Sequence, residues 1–122
     1  MSKVLLEYFS RVISSDVYPY GFGENSDFLS SKTRTPKTDW IITNPPFRQA
    51  EKFILKGLQE ASCGVAMLTR TVFLESIGRY ENLFENKPPS IVAQFCERVP
   101  MVKGRLDAKA TTATGYAWIV WE

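Results

Sequence analysis

The stretch Asp39-Trp40-Ile41-Ile42-Thr43 runs directly into Asn44-Pro45-Pro46-Phe47. Three consecutive apolar residues predict a strand buried on both faces, as in a parallel sheet. Two prolines then end it, because each locks φ near about −65° and has no N–H to offer a ladder. Asn44 precedes a proline and is pushed to an extended conformation. The segment "RQAEKFILKGLQEA" follows with helical period. Ala50, Phe53, Ile54, Leu58 and Ala61 form its apolar stripe, and Glu51, Lys52, Lys56 and Glu60 its polar face. A buried strand, a stiff turn and an amphipathic helix in immediate succession restrict the chain to layered α/β packing.

The remaining segments extend that pattern. Ser2 caps a short helix with Val4, Leu5, Tyr8 and Phe9 at helical spacing. "RVISSD" predicts a short strand ending at Asp16, and "VYPYGFGENS" a loop rich in proline and glycine. "DFLSS" is short and ambiguous, and "KTRTPKT" is a polar linker. After the central helix come a strand at "GVAMLT", a helical piece at "GRYENLFEN" ended by Pro88, and a strand at "SIVAQFCERV". The polar stretch 103–115 and a terminal strand, "YAWIVWE", close the chain. The last two strands have no helix between them, which predicts an antiparallel pair and one reversed strand in a mixed sheet. The expected organisation is one domain over 1–122.

Composition narrows the chemistry. With 122 residues, 44% hydrophobic and 23% charged, the chain has enough apolar side chains for one core. No apolar run reaches the roughly 20 residues that span a bilayer, so no membrane partner is expected. Residues 1–10 do not read as a signal peptide, which points to the cytoplasm. Cys63 and Cys96 have no metal-ligand spacing and read as small thiols. The chain has no histidine. That excludes Ser-His-Asp and Cys-His catalysis and histidine-ligated metals, and no metal is expected. An enzyme built from this sequence uses amides, carboxylates, backbone groups and aromatics, or a cofactor carrying the reactive group.

Asn44 to Phe47 suits one kind of chemistry. In open α/β sheets ligands bind at the carboxyl ends of strands, where this turn lies. The Asn44 side-chain oxygen and the Pro45 carbonyl are two acceptors on a rigid loop with no competing donors beside them. Two such acceptors match a planar amino group with two hydrogens. Phe47 offers a face on which a base can stack. The structural alternative is a strand-to-helix turn with proline at the first helical positions. Lys87-Pro88-Pro89 is a second Pro-Pro pair; it follows a helix in a polar setting and reads as a helix stop.

With these features the sequence resembles class I S-adenosylmethionine-dependent N-methyltransferases. The amino-methylating branch carries [DNS]-P-P-[YFW] after its fourth strand, and Asn44, Pro45, Pro46 and Phe47 match it in full. "RVISSD" is similar to the second strand, whose terminal acid holds the cofactor ribose. That role falls on Asp16, with Val17 against the adenine. "DFL" is similar to the acidic-aromatic pair that meets the adenine amine, which falls on Asp27 and Phe28. The closing strands resemble the antiparallel sixth and seventh. The resemblance implies an incomplete Rossmann-like methyltransferase sheet, mostly parallel with an antiparallel C-terminal pair and helices on both faces. It implies S-adenosyl-L-methionine as cofactor. For Asp16 and Asp27 the alternatives are a solvated strand-end acid and a turn or cap residue.

One family feature is missing. The family opens with a strand and an acid-x-Gly-x-Gly turn, whereas this chain begins inside what corresponds to the first helix. Gly21-Phe22-Gly23 follows Tyr18-Pro19-Tyr20 rather than a strand, and Ser26 stands where a third glycine belongs. Two outcomes are expected for the strands that would flank the missing one. Either Arg11–Asp16 and Asp39–Thr43 pair directly, or free edges favour a homodimer or strand-exchanged assembly. The implied target is an exocyclic amine, adenine N6 in DNA first, with ribosomal RNA guanine N2 and protein glutamine as chemically equivalent targets. An inactive remnant serving as a binding or dimerisation module is the competing function. Arg70, Lys103, Arg105 and Lys109 are the candidate nucleic-acid contacts; the alternative for them is a solvated basic surface.

Overall fold

The computed structural model describes residues 1–32, 36–101 and 113–122. They fall into two compact units, Met1–Lys37 and Thr38–Glu122. In the first unit, α1 spans Ser2–Leu5 and frays into turns through Phe9, whose N–H donates to the Leu5 carbonyl at 2.9 Å. β1, Ser15–Asp16, pairs in parallel with β2, Glu24–Asn25. The strand expected over Arg11–Asp16 is therefore confined to its last two residues. The short loop 17–23 returns the chain beside itself through Gly21 and Gly23, with φ of 74° and 81°. A side chain at Gly23 would collide with the Ser14 carbonyl, the group that accepts from Glu24 N–H at 2.8 Å. Only glycine lets β2 approach β1 that closely.

The second unit holds a four-stranded sheet in the order β3-β4-β6-β5. β3 is Thr38–Thr43, β4 Ala61–Arg70, β5 Ile91–Gln94 and β6 Tyr116–Trp121. β3 and β4 are parallel and are joined by α2, Ala50–Glu60. β6 is antiparallel to both β4 and β5, so it alone is reversed, as the closing strands predict. The direct pairing of Arg11–Asp16 with Asp39–Thr43 is not formed. β1 belongs to a separate two-stranded sheet, and among the described strands β3 pairs with β4 alone.

The core follows from period-two alternation in the sheet. Val65 and Met67 of β4 lie opposite Trp121 and Ile119 of β6 and point to one face. Ala50 and Ile54 of α2, Phe73, and Leu83 join them in a single cluster. Leu83 arrives from a π turn, Tyr80–Phe84, which continues the short α3, Ile77–Arg79. On α2 the buried residues are Ala50, Ile54 and Gly57, whereas Leu58 is only half-buried. Gly57 takes the central place because its Cα faces Val65 and Met67, where a Cβ would come within 3.2 Å and 3.3 Å of them. The described helical segments that reach this core do so on one face. Among the described residues no helix is long and apolar enough to cross a membrane.

Gly64 in β4 has no room for a side chain. A Cβ there would lie 2.5 Å from Trp40 Cζ3 and 2.7 Å from the Trp121 carbonyl oxygen. Gly64→Ala is expected to cost about 1–3 kcal/mol, because both neighbours are fixed in adjacent strands. Urea unfolding checks this. A midpoint equal to that of the natural chain would show that Trp40 moves aside freely.

Candidate functional site

The carboxyl end of β3 carries the proline turn. Pro45 is fully buried, while Asn44 and Pro46 are exposed. The Pro46 carbonyl is occupied, since it accepts from Gln49 N–H at 2.8 Å and closes the 3-10 turn Phe47–Gln49 that leads into α2. The Pro45 carbonyl accepts no hydrogen bond from the described residues. The Asn44 amide nitrogen lies 3.8 Å from Met101 Sδ and donates toward it. No described residue donates to the Asn44 amide oxygen. Two acceptors without a donor among the described residues thus sit on consecutive residues of one rigid turn, the Asn44 oxygen on an exposed residue and the Pro45 carbonyl on a buried one.

Phe47 is half-buried. Its ring centroid is 6.1 Å from that of Tyr116, with planes tilted by 38°. The Arg70 guanidinium lies over the Phe47 ring, its Cζ 4.4 Å from the centroid. The sheet register explains the grouping. Arg70 ends β4 and faces Tyr116, the first residue of β6. The link is fastened by Thr71, whose N–H and hydroxyl both donate to the Gly115 carbonyl, at 3.0 Å and 3.5 Å. Arg70, proposed from the sequence as a phosphate contact, is exposed and lies at the proline turn. Lys103, Arg105 and Lys109 lie outside the described residues.

In the first unit the two candidate acids occupy equivalent places. Asp16 ends β1, and Asp27 follows β2 by two residues, so both lie at the carboxyl end of the parallel pair. Each makes the same turn. Asp16 Oδ1 accepts from Tyr18 N–H at 2.9 Å, and Asp27 Oδ1 accepts from Leu29 N–H at 2.9 Å. In both the second carboxylate oxygen has no partner among the described residues. The Asp16 carbonyl accepts from Ser26 N–H at 2.9 Å, and the Val17 carbonyl from the Asn25 amide at 2.8 Å. The Val17 side chain is 52% exposed, leaving an apolar surface beside Asp16, and Phe28 is half-buried. Exposed carboxylates with one oxygen tied and one free suit hydroxyl and amine donors.

Met101 and Tyr116 were not among the sequence candidates. Tyr116 reads simply as the start of an apolar strand, and Met101 has no sequence signal. Among the described residues no group of three His, Cys, Asp or Glu side chains could hold a metal ion, and Cys63 and Cys96 are free and exposed. Comparison of the chain with protein-family models, with curated proteins and with solved structures found no match.

Proposed function

We propose that this chain acts as an S-adenosylmethionine-dependent N-methyltransferase on an exocyclic amino group, with adenine N6 in DNA the leading target. The observation that carries the reading is the exposed Asn44 Oδ1, which has no donor among the described residues, at the carboxyl end of a strand. It accepts one hydrogen of a planar amino group, and the Pro45 carbonyl, buried in the free protein, accepts the other once the substrate seats. That draws the nitrogen lone pair out of conjugation and makes it a nucleophile. Phe47 stacks the ring that bears the amine, worth about 1–3 kcal/mol. No general base precedes the attack, in keeping with a chain without histidine. A base in a duplex must first be flipped out.

The free carboxylate oxygens of Asp16 and Asp27 fit the ribose hydroxyls and adenine amine of the cofactor. When bound, that cofactor would supply the methyl group from a sulfonium and be left as a thioether, and the methylated nitrogen then loses one proton to solvent. The finer fold reading, a Rossmann-like methyltransferase sheet, belongs to the same proposal and is supported by the parallel β3-α2-β4 unit and the reversed β6.

Titration with S-adenosylhomocysteine by calorimetry tests the cofactor half. Micromolar binding is expected, weakened about tenfold or more in Asp16→Ala, the worth of one charge-assisted contact. A folded chain that gives no heat at millimolar ligand would remove the cofactor from the proposal.

A second reading, a dimerisation module, is favoured by β3, which has one strand partner among the described residues. An open edge with consecutive apolar residues invites a strand from a second copy. Sedimentation velocity is expected to show a dimer that Ile41→Lys dissociates. A concentration-independent monomer would dismiss this assembly.

A further inference from the structure

We propose that Arg70 occupies the base platform of Phe47 in the free protein, and that a bound nucleotide displaces it. The base takes the ring face and the displaced guanidinium takes the nucleotide's phosphate. This rests on the reading of Phe47 as a stacking surface and narrows the substrate from any amide or amine to a nucleotide.

The protein contains its own comparison. Two arginines stack on phenylalanine rings with the same separation, Arg70 on Phe47 and Arg79 on Phe73, each at 4.4 Å. Arg79 is tied down. It is half-buried, and its guanidinium donates to the Phe73 carbonyl at 2.9 Å, while Phe73 is part of the core. That pair is a structural clamp. Arg70 is exposed, and among the described residues its guanidinium meets only the Phe47 ring. No described residue takes a hydrogen bond from its donors, which form a planar fork that matches a phosphate. Its backbone is fixed, because Arg70 pairs with Tyr116 and Thr71 is bonded to Gly115. The side chain alone moves.

The balance favours exchange. An exposed cation–π contact is weaker than stacking of a base on an aromatic ring. A displaced guanidinium also gains a charge-assisted contact if the ligand carries a phosphate. The exposed Asn44 lies three residues before Phe47 in the same turn, which is the acceptor a base on this ring would meet first. A glutamine side chain has neither a ring to displace Arg70 nor a charge to hold it.

The test compares deoxyadenosine with deoxyadenosine 5′-monophosphate, following the Phe47 ring resonances by NMR so that only binding at this site is read. The natural chain is expected to bind the monophosphate more tightly than the nucleoside, and the Arg70 side-chain N–H is expected to lose its ring-current shift as the ligand is added. Arg70→Met should weaken the monophosphate about tenfold, the worth of one charge-assisted contact. The same change should leave the nucleoside unchanged or bind it more tightly, because the competitor for the ring is gone. Arg70→Lys should recover part of the monophosphate affinity. Equal weakening of both ligands would mean that Arg70 only props the ring, and would overturn the proposal. So would no change in either, or no response of Phe47 to either ligand in the natural chain. Methyl transfer is not part of this readout. Displacement of Arg70 in a chain that transfers no methyl group would retain the nucleotide platform and reject the enzyme. Methyl transfer with nucleotide affinity indifferent to Arg70 would do the reverse.

Discussion

Asn44→Ala is expected to lower methyl transfer by about 10²–10³-fold, the usual cost of deleting one preorganised electrostatic partner of a reacting group. Asn44 is exposed and packs into no core, so the variant should fold normally. In the proposed reaction its side-chain oxygen is one of two acceptors for the amino hydrogens. Without it the nitrogen keeps its lone pair in conjugation with the ring, and the barrier rises at the chemical step rather than in binding. Cofactor affinity should be nearly unchanged, since the ribose and adenine contacts are assigned to Asp16 and Asp27. Asn44→Asp keeps an acceptor oxygen in place and should retain measurable turnover. Transfer of a labelled methyl group under saturating cofactor checks the two turnovers, and calorimetric titration of Asn44→Ala with S-adenosylhomocysteine checks the affinity. Wild-type turnover in Asn44→Ala would show that the turn has no part in the chemistry.

The largest loss of stability is expected from Ile54→Ala. Ile54 is 0% exposed at the centre of the cluster that joins α2 to β4 and β6. Truncation removes its buried surface and leaves a cavity between a helix and two strands that cannot close over it, costing about 2–5 kcal/mol. For a domain of this size the melting temperature should fall by roughly 10 °C or more. Glu51→Ala, on the polar side of the same helix, serves as the comparison and should change little. Denaturant unfolding measures both. A small effect of Ile54→Ala would mean that α2 is not the element holding the second unit together.

What was legible in the sequence, and what was not, divides along the range of the interaction. α2 was readable because Ala50 and Ile54 repeat at helical spacing, a local signal. β4 and β6 were readable as apolar runs, and the antiparallel closing pair from the absence of a helix between its members. The shortening of β1 to Ser15–Asp16 was not readable, because its partner β2 lies in a segment whose composition reads as loop. The glycines at 23, 57 and 64 owe their roles to Ser14, to Val65 and Met67, and to Trp40. Those partners are assigned by tertiary structure alone. The π turn at Tyr80–Phe84 was read simply as helix, since a π turn shares the apolar spacing that brings Leu83 inward.

The candidate site divides in the same way. Asn44 to Phe47 stood out because proline restricts the backbone whatever surrounds it. Asp16 and Asp27 were found by resemblance, and their common geometry came from the β1–β2 pairing. The Arg70 stack depends on the β4–β6 register, which opposes Arg70 to Tyr116, and nothing in the residues around Arg70 announces it.

The central claim is tested most directly by incubating the purified chain with S-adenosylmethionine and an adenine-containing single-stranded oligonucleotide, then digesting the product and measuring N6-methyldeoxyadenosine by mass spectrometry. The proposed function predicts that modified base from the natural chain and its loss in Asn44→Ala. A folded chain that binds both ligands yet yields no methylated base would contradict it.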